Sequence, residues 1–215
     1  MKILFRVVAF LAFLLPGATA YTQQAQISKQ IDSLLALDQY YVRAISFGTL
    51  DLHEQDSIGK LGQGLYGSHL EKVTKGDFKY GREKRDSLNK GFEKLCDNNF
   101  SYIKFLLDNN LVKKMSQSEA NSFFTLVDHF TLEQFNVLDS SLQNLVSKKI
   151  IKPLEYATDY DLLQVKNKLP QKYFVLFNYN KETGKSCTQT PPDINQTNLY
   201  RKKIGLKSWK FECYP

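Results

Sequence analysis

The sequence is poor in the residues that most often bind metals or form cross-links. It has three histidines, three cysteines, two methionines and one tryptophan among 215 residues. No His-Glu-x-x-His stretch occurs, and no cysteine and histidine lie at zinc-site spacing, so we expect no metal and no cofactor. A Gly-x-Ser-x-Gly motif is also missing, which excludes the hydrolases recognised by it.

Long apolar runs are equally scarce. The run Val7–Leu15 follows Lys2 and Arg6 and precedes the small residues ATA at 18–20. A membrane-spanning helix needs about 20 apolar residues, whereas a basic start, a short apolar run and a small-residue site are typical of a secretory signal peptide. We therefore predict that residues 1–20 are a signal peptide cleaved after Ala20. The protein is then exported, periplasmic or secreted, without a membrane anchor.

Charge of one sign is not concentrated in the chain. The formal net charge is +7, and Lys2 and Arg6 of the predicted leader contribute two of the positive charges. The basic and aromatic stretch FKYGREKR at 78–85 is interrupted by Glu83 and lies in no nucleic-acid-binding motif. We expect it to be a solvated loop and helix start, and we expect no nucleic-acid partner.

The apolar residues recur with helical spacing over most of the chain, and two Ser/Thr-x-x-Glu/Gln capping boxes mark helix starts. Predicted helices cover about 24–46, 84–97, 100–109, 117–130, 132–147, 153–167 and 193–204. Short connections favour antiparallel neighbours. Residues 173–179 and 185–190 predict one β-hairpin. The expected fold is mainly α: one compact domain over residues 21–215, with about seven helices and a small C-terminal β-hairpin.

Glycine is concentrated in one part of the chain. Residues 48–91 contain eight of the eleven glycines, so we predict a long irregular connection at 48–82, with room for one short helix. Its segment GQGLYG at 62–67 matches the dinucleotide-binding fingerprint letter for letter. Because no strand pattern precedes it, we expect no dinucleotide site.

The three cysteines allow three single bridges. Cys187 and Cys213 enclose a proline-rich segment with little core of its own, and a bridge between them would tie down the C-terminal region. Cys96 lies on an apolar helical stripe, where a small buried thiol is expected. We predict the Cys187–Cys213 disulfide.

The first helix carries an acidic residue on its apolar face. Asp38 lies near the middle of a stripe formed by Ile31, Leu34, Leu35, Tyr41, Val42 and Ile45. A buried carboxylate needs a partner, and it serves either as a paired core residue or as the floor of a pocket. Our first choice of partner is Arg201, whose planar guanidinium fits a carboxylate. Arg43 points elsewhere, about 140° round the helix, and His129 is the third choice.

Several motifs occur in an order that resembles a known family. They are Asp38-Gln39 with Arg43, the segment 120–129 that ends in His129, 157–161 that ends in Asp161, Gln171 with Tyr173, and Asn198 with 201–206. Their order resembles an uncharacterised helical family of bacterial exported proteins, known only as a domain of unknown function. The chain departs from the family pattern at 110–112, at Leu162 and at Phe174, where the family has glycine after the tyrosine. The resemblance implies a helical fold and an exported protein.

The candidate polar site therefore comprises eight residues: Asp38, Gln39, Arg43, His129, Asp161, Gln171, Tyr173 and Arg201. Our preferred hypothesis is a monomeric binding module of the cell envelope, whose partner is a small ligand or an envelope protein. The alternative is a hydrolase-like enzyme with Asp38 or Asp161 and His129 as acid and base, and with Arg201 holding an anion. Their arrangement in space distinguishes the two hypotheses.

Overall fold

The computed structural model describes residues 20–76, 78–112, 115–180 and 183–214. The elements are α1 Ala20–Phe47, α2 Leu52–Gly59, α3 Gln63–Thr74, α4 Gly81–Asp108, α5 Gln117–Val127, α6 Leu132–Ser147, α7 Pro153–Lys166, β1 Phe177–Asn180, β2 Lys185–Thr188, α8 Ile194–Lys203 and β3 Cys213–Tyr214. The predicted mainly α fold with a small C-terminal sheet is confirmed. Positions 1–19 of the predicted signal peptide lie outside the described residues.

The two longest helices, α1 and α4, have 28 residues each. They run antiparallel, because Tyr41 stacks on Phe92 with ring centroids 6.0 Å apart while Asp38, earlier in α1, lies near Cys96, later in α4. Helix α5 packs on both, and α6 packs on α7. The main core lies between these helices and includes Ile31, Ile103, Phe123, Phe135 and Leu142.

The capping signals in the sequence mark the observed helix starts. Ser116 with Glu119 and Thr131 with Gln134 both form complete capping boxes. In each box the hydroxyl accepts from a first-turn N–H group, and the other side chain accepts from the N–H group of the cap residue. Pro153 occupies the first turn of α7, where a missing N–H costs nothing.

The prediction of an irregular connection over 48–82 is wrong, because most of this segment is helical. Asp51 caps α2 by accepting hydrogen bonds from the backbone N–H groups of His53 and Glu54, and α3 begins directly after Gly62. The fingerprint segment 62–67 thus follows a helix rather than a strand. Phe47 and Val73 help to anchor the two short helices against the rest of the protein, which offsets the weak helix propensity of glycine.

The predicted break near residue 98 is also wrong, and α4 is continuous. Asn98 and Asn99 are weak helix formers, but each costs well under about 1 kcal/mol in a helix interior. The buried stripe of α4 continues through Leu95, Asn99 and Ile103. Packing of this stripe therefore decides the local structure.

The C-terminal hairpin is confirmed and extended by a third strand. β1 pairs with β2 and β2 with β3, both antiparallel, and Cys187 lies directly opposite Cys213. The predicted Cys187–Cys213 disulfide is present, and Cys96 is buried and free. A bridge across a separation of 26 residues contributes about 3 kcal/mol in the chain-entropy model. Within the described ranges, no helix is long and apolar enough to cross a membrane.

Candidate functional site

The structure divides the eight predicted site residues among three places. Asp38, Gln39 and His129 lie together between α1 and the end of α5. Asp161, Gln171, Tyr173 and Arg201 lie together around the loop that follows α7. Arg43 forms a surface ion pair with Asp56 at 3.4 Å.

Asp38 is completely buried and pairs with His129. The His129 Nε2 atom lies 3.2 Å from Asp38 Oδ2, and Gln39 Nε2 donates to the same oxygen at 3.2 Å. Phe92 presents an edge-to-face contact to the imidazole, with centroids 5.3 Å apart. His129 reaches this position because it immediately follows Asp128, the C-terminal cap of α5, and α5 packs along α1.

Our first choice of partner for Asp38 is therefore wrong. Arg201 lies on α8, and its guanidinium donates to the backbone oxygens of Tyr173 and Lys207, both at 2.7 Å. His129, our third choice, is the residue that pairs with Asp38. The acid, base and anion holder of the hydrolase hypothesis do not come together, because Arg201 belongs to the other group.

The thiol nearest to this pair is not a nucleophile at neutral pH. Burial is the largest of the causes that together raise the pKa of Cys96 to about 12, and the neighbouring charge of Asp38 is the second. A thiol with this pKa stays protonated, and the thiolate is the reactive form. Asp38, His129 and Cys96 thus do not form a catalytic triad.

Asp161 organises the loop after α7 through its carboxylate. Its Oδ1 accepts from the backbone N–H of Lys172 at 2.7 Å and of Tyr173 at 3.0 Å, and its Oδ2 accepts from Val175 at 3.1 Å. Phe174 has a φ of 52°, a left-handed conformation that favours glycine. The pKa of Asp161 is raised, because the effect of burial exceeds the opposite effect of these backbone donors. The strand predicted from residue 173 begins only at Phe177, because Asp161 takes the N–H groups.

Gln171 and Arg201 support the same loop. Gln171 Oε1 accepts from the backbone N–H of Leu176 at 3.0 Å, and its Nε2 donates to Gln189 at 3.1 Å. Burial lowers the pKa of Arg201, while the nearby charge of Asp161 raises it. The second group of predicted residues is thus an internal scaffold that fixes residues 171–176.

Sequence reasoning missed a pair of carboxyl groups between α5 and α7. Asp128 and Asp159 border a cleft of about 420 Å³ that is also lined by Asn121, Phe124, Thr125, Leu154, Glu155 and Thr158. Burial is the largest cause that raises the pKa of Asp159 to about 10, followed by its hydrogen bond to Asp128 and the charges of Asp128 and Glu155. Asp159 is thus protonated at pH 7, so the two groups share a proton.

Two of the four oxygens of this pair have no donor among the described residues. No N–H or O–H group among the described residues donates to Asp128 Oδ1 or Asp159 Oδ2, and both atoms are buried. One signal was visible in the sequence: Asp128 ends a helix, where the dipole disfavours a negative charge.

A cleft of about 470 Å³ between the end of α1, α2 and Lys79 is less suited to a ligand. Its polar groups already satisfy one another: Lys79 pairs with Glu54, Thr49 donates to Glu54 at 2.5 Å, and His69 Nε2 lies 2.8 Å from the backbone oxygen of Phe47. The cleft between Asp128 and Asp159 is therefore the better candidate site.

Comparison of the chain with protein-family models, curated proteins and solved structures finds no match. The resemblance to an exported helical family therefore stays a prediction. In the part of the chain that the structure describes, no three histidine, cysteine, aspartate or glutamate side chains are arranged to hold a metal ion.

Proposed function

We propose that this protein is an exported binding module that takes a small amine-bearing solute in the cleft between α5 and α7. The observation that carries the proposal is the Asp128–Asp159 carboxyl pair, which keeps a proton at pH 7 and has two buried oxygens, Asp128 Oδ1 and Asp159 Oδ2, without a donor among the described residues. An ammonium group would replace that proton with several N–H donors and a positive charge.

The rest of the cleft supports a polar ligand of modest size. Its volume of about 420 Å³ lies in the range of small-molecule sites, about 300–1,000 Å³. Thr125 and Thr158 provide hydroxyls, Asn121 provides an amide, and Phe124 and Leu154 provide apolar contact. This lining suits a ligand that carries hydroxyl groups beside its amine.

Binding of an ammonium group should release a proton. Asp159 is protonated in the free protein because burial and Asp128 raise its pKa to about 10. A bound positive charge favours the ionised carboxylate and lowers this pKa. The apparent affinity for an amine should therefore rise from pH 5 to pH 8, as long as the amine itself stays protonated.

Export is the second element of the proposal. It is supported by the basic and apolar segment at residues 1–20 and by the Cys187–Cys213 disulfide, since such bonds persist in oxidising compartments. The intact mass of protein from the envelope or the medium should correspond to a chain that begins at Tyr21. A cell-associated chain that retains Met1 would contradict export.

The binding test compares glucosamine with glucose, which replaces the amine with a hydroxyl. In calorimetric titrations at pH 7, glucosamine should bind, release protons to the buffer, and bind about tenfold or more tightly than glucose, as expected for one charge-assisted contact. Asp159→Asn should remove this preference, while Asp86→Asn, on the exposed face of α4, should keep it. Equal binding of both sugars, or an undiminished preference in Asp159→Asn, would refute the amine site.

One observation favours a second candidate, an acid–base hydrolase. Two adjacent carboxyl groups that share one proton can activate water with one group and protonate a leaving group with the other. Asp128 and Asp159 have this arrangement. Turnover of glycoside or peptide substrates that is abolished by Asp128→Asn and Asp159→Asn alike would favour catalysis over binding.

A further inference from the structure

The ammonium group of Lys172 lies within a ring of three tyrosines. Its Nζ atom is 4.6 Å from the ring centroid of Tyr160, 5.4 Å from that of Tyr173 and 5.3 Å from that of Tyr200. All three distances fall within the limit of about 6 Å for cation–π attraction. None of the ion pairs among the described residues involves Lys172, so its charge is held by aromatic rings.

The three rings come from different parts of the fold, and the scaffold fixes them. Tyr160 lies on α7 and Tyr200 on α8. Tyr173 is held through its backbone, because its N–H donates to Asp161 at 3.0 Å and its oxygen accepts from Arg201 at 2.7 Å. Tyr160 and Tyr173 also contact each other edge to face at 5.6 Å. Tyr160 and Tyr173 are thus positioned by contacts that do not involve the lysine side chain, and α8 brings Tyr200 to them.

Lysine is a poor occupant of such a cage. A primary ammonium is compact and strongly hydrated, and its four-carbon side chain is flexible. A quaternary ammonium is weakly hydrated and gains more from aromatic faces, which is why aromatic cages recognise it. Tyr200 is 37% exposed and Lys172 is only partly buried, so solvent reaches the site and the lysine can move away from it.

We propose that Tyr160, Tyr173 and Tyr200 form a binding site for a quaternary alkylammonium group, and that Lys172 occupies this site as an internal competitor. The site is distinct from the cleft between α5 and α7. Asp159 and Tyr160 are neighbours on α7 and point about 100° apart. A quaternary ammonium has no N–H to donate to the carboxyl pair, so the two sites select different ligands.

The test measures binding of choline by calorimetry and by the upfield shift of its methyl protons in NMR. Lys172→Ala should bind choline on the order of tenfold more tightly than the native chain, because it removes the competitor. Lys202→Ala, an exposed lysine of α8, should leave binding unchanged. Tyr200→Ala in the Lys172→Ala background should abolish binding, and Tyr200→Phe should retain it, because a phenyl ring also attracts cations.

Phosphatidylcholine vesicles form a second arm that separates a lipid headgroup from a free solute. Lys172→Ala protein that binds choline but not vesicles takes a free solute, and protein that binds both takes the headgroup as well; either result supports the site. A folded Lys172→Ala variant that binds no choline at millimolar concentration would overturn the proposal. So would binding that Asp159→Asn abolishes and Tyr200→Ala does not change, since the ligand would then lie in the cleft.

Discussion

Asp159 and Asp161 lie two residues apart on α7, yet they face opposite sides of it, because two residues correspond to a rotation of about 200°. Burial raises the pKa of both carboxyl groups. Asp161 meets the backbone N–H groups of Lys172, Tyr173 and Val175, whereas Asp159 meets the carboxyl group of Asp128. The carboxyl group on one face of α7 is therefore satisfied by backbone donors. The carboxyl pair on the other face has two buried oxygens without a donor among the described residues.

This difference shows that burial of an acid does not by itself identify a functional site. A buried carboxylate whose lone pairs are all engaged by backbone donors supports the loop that provides those donors. A buried carboxyl that faces another carboxyl weakens the folded state, and such a feature is expected where a ligand or a reaction uses it. Asp38 is intermediate, because His129 and Gln39 satisfy one of its oxygens and no described donor satisfies the other.

The largest expected effect is at Asp161, on the face of α7 whose carboxyl group accepts from backbone N–H groups. Asp161→Ala should lower the free energy of unfolding by about 3–5 kcal/mol, because it leaves three backbone N–H groups, two of them buried, without an acceptor. Urea unfolding followed by circular dichroism measures the loss. The matched control is Asp193→Ala, which removes the exposed cap of α8 that accepts from Gln196 at 2.9 Å, and it should cost about 1 kcal/mol. Similar losses in the two variants would show that the loop does not depend on Asp161.

The sequence predicts the helix starts of the fold but not the hydrogen bonds of Asp161. The helix starts could be predicted because Ser116, Thr131 and Pro153 act within their own first turns. The donors of Asp161 are 11–14 residues away, in a loop whose path depends on the positive φ of Phe174. Such a contact depends on tertiary structure, and no local pattern predicts it.

The choice of partner for Asp38 failed for a related reason. The chemistry of its side chain favours Arg201 as the partner, but it carries no information on which helices are neighbours. Helix α1 packs against α5, and the chain that leaves α5 brings His129 to Asp38. Side-chain chemistry limits the possible partners, and the packing of helices selects one of them.

The second prediction concerns Asp38, which has described partners at only one of its carboxyl oxygens. His129→Ala should destabilise the fold by about 2–3 kcal/mol because it leaves the buried carboxylate of Asp38 without its main partner, and Asp38→Ala should cost about 3 kcal/mol. The double variant should lose less than the sum by about 1–2 kcal/mol, as residues in contact do. Urea melts of the four proteins measure this coupling.

Arg201→Ala is the control for that cycle, since Arg201 shares no partner with Asp38. Its loss should add to that of Asp38→Ala within about 0.5 kcal/mol. Coupling of Asp38 to Arg201 rather than to His129 would contradict the pairing of Asp38 with His129.

The smallest expected effect is that of Asp159→Asn, which should stabilise the protein. Because Asp161→Ala should destabilise it, this pair of variants gives the sharpest contrast between the two faces of α7. The folded state holds a proton on Asp159 because its pKa is raised to about 10, whereas the unfolded chain loses that proton above its ordinary pKa of about 3.9. The unfolded state is therefore favoured increasingly as pH rises from about 4 to 10. Asparagine is neutral in both states and can still donate to Asp128, so it avoids this cost.

A pKa shift corresponds to about 1.4 kcal/mol of free energy per pKa unit. Because the cleft is open to solvent on one side, screening reduces this value, and we expect Asp159→Asn to raise the free energy of unfolding by about 1–2 kcal/mol at pH 8. The gain should be smaller at pH 5, and Asp86→Asn, on an exposed face, should change stability by less than about 0.5 kcal/mol at either pH. Thermal and urea melts across this range measure the difference. A loss of stability in Asp159→Asn at every pH would mean that Asp159 serves as a hydrogen-bond acceptor like Asp161, and the contrast between the two faces would disappear.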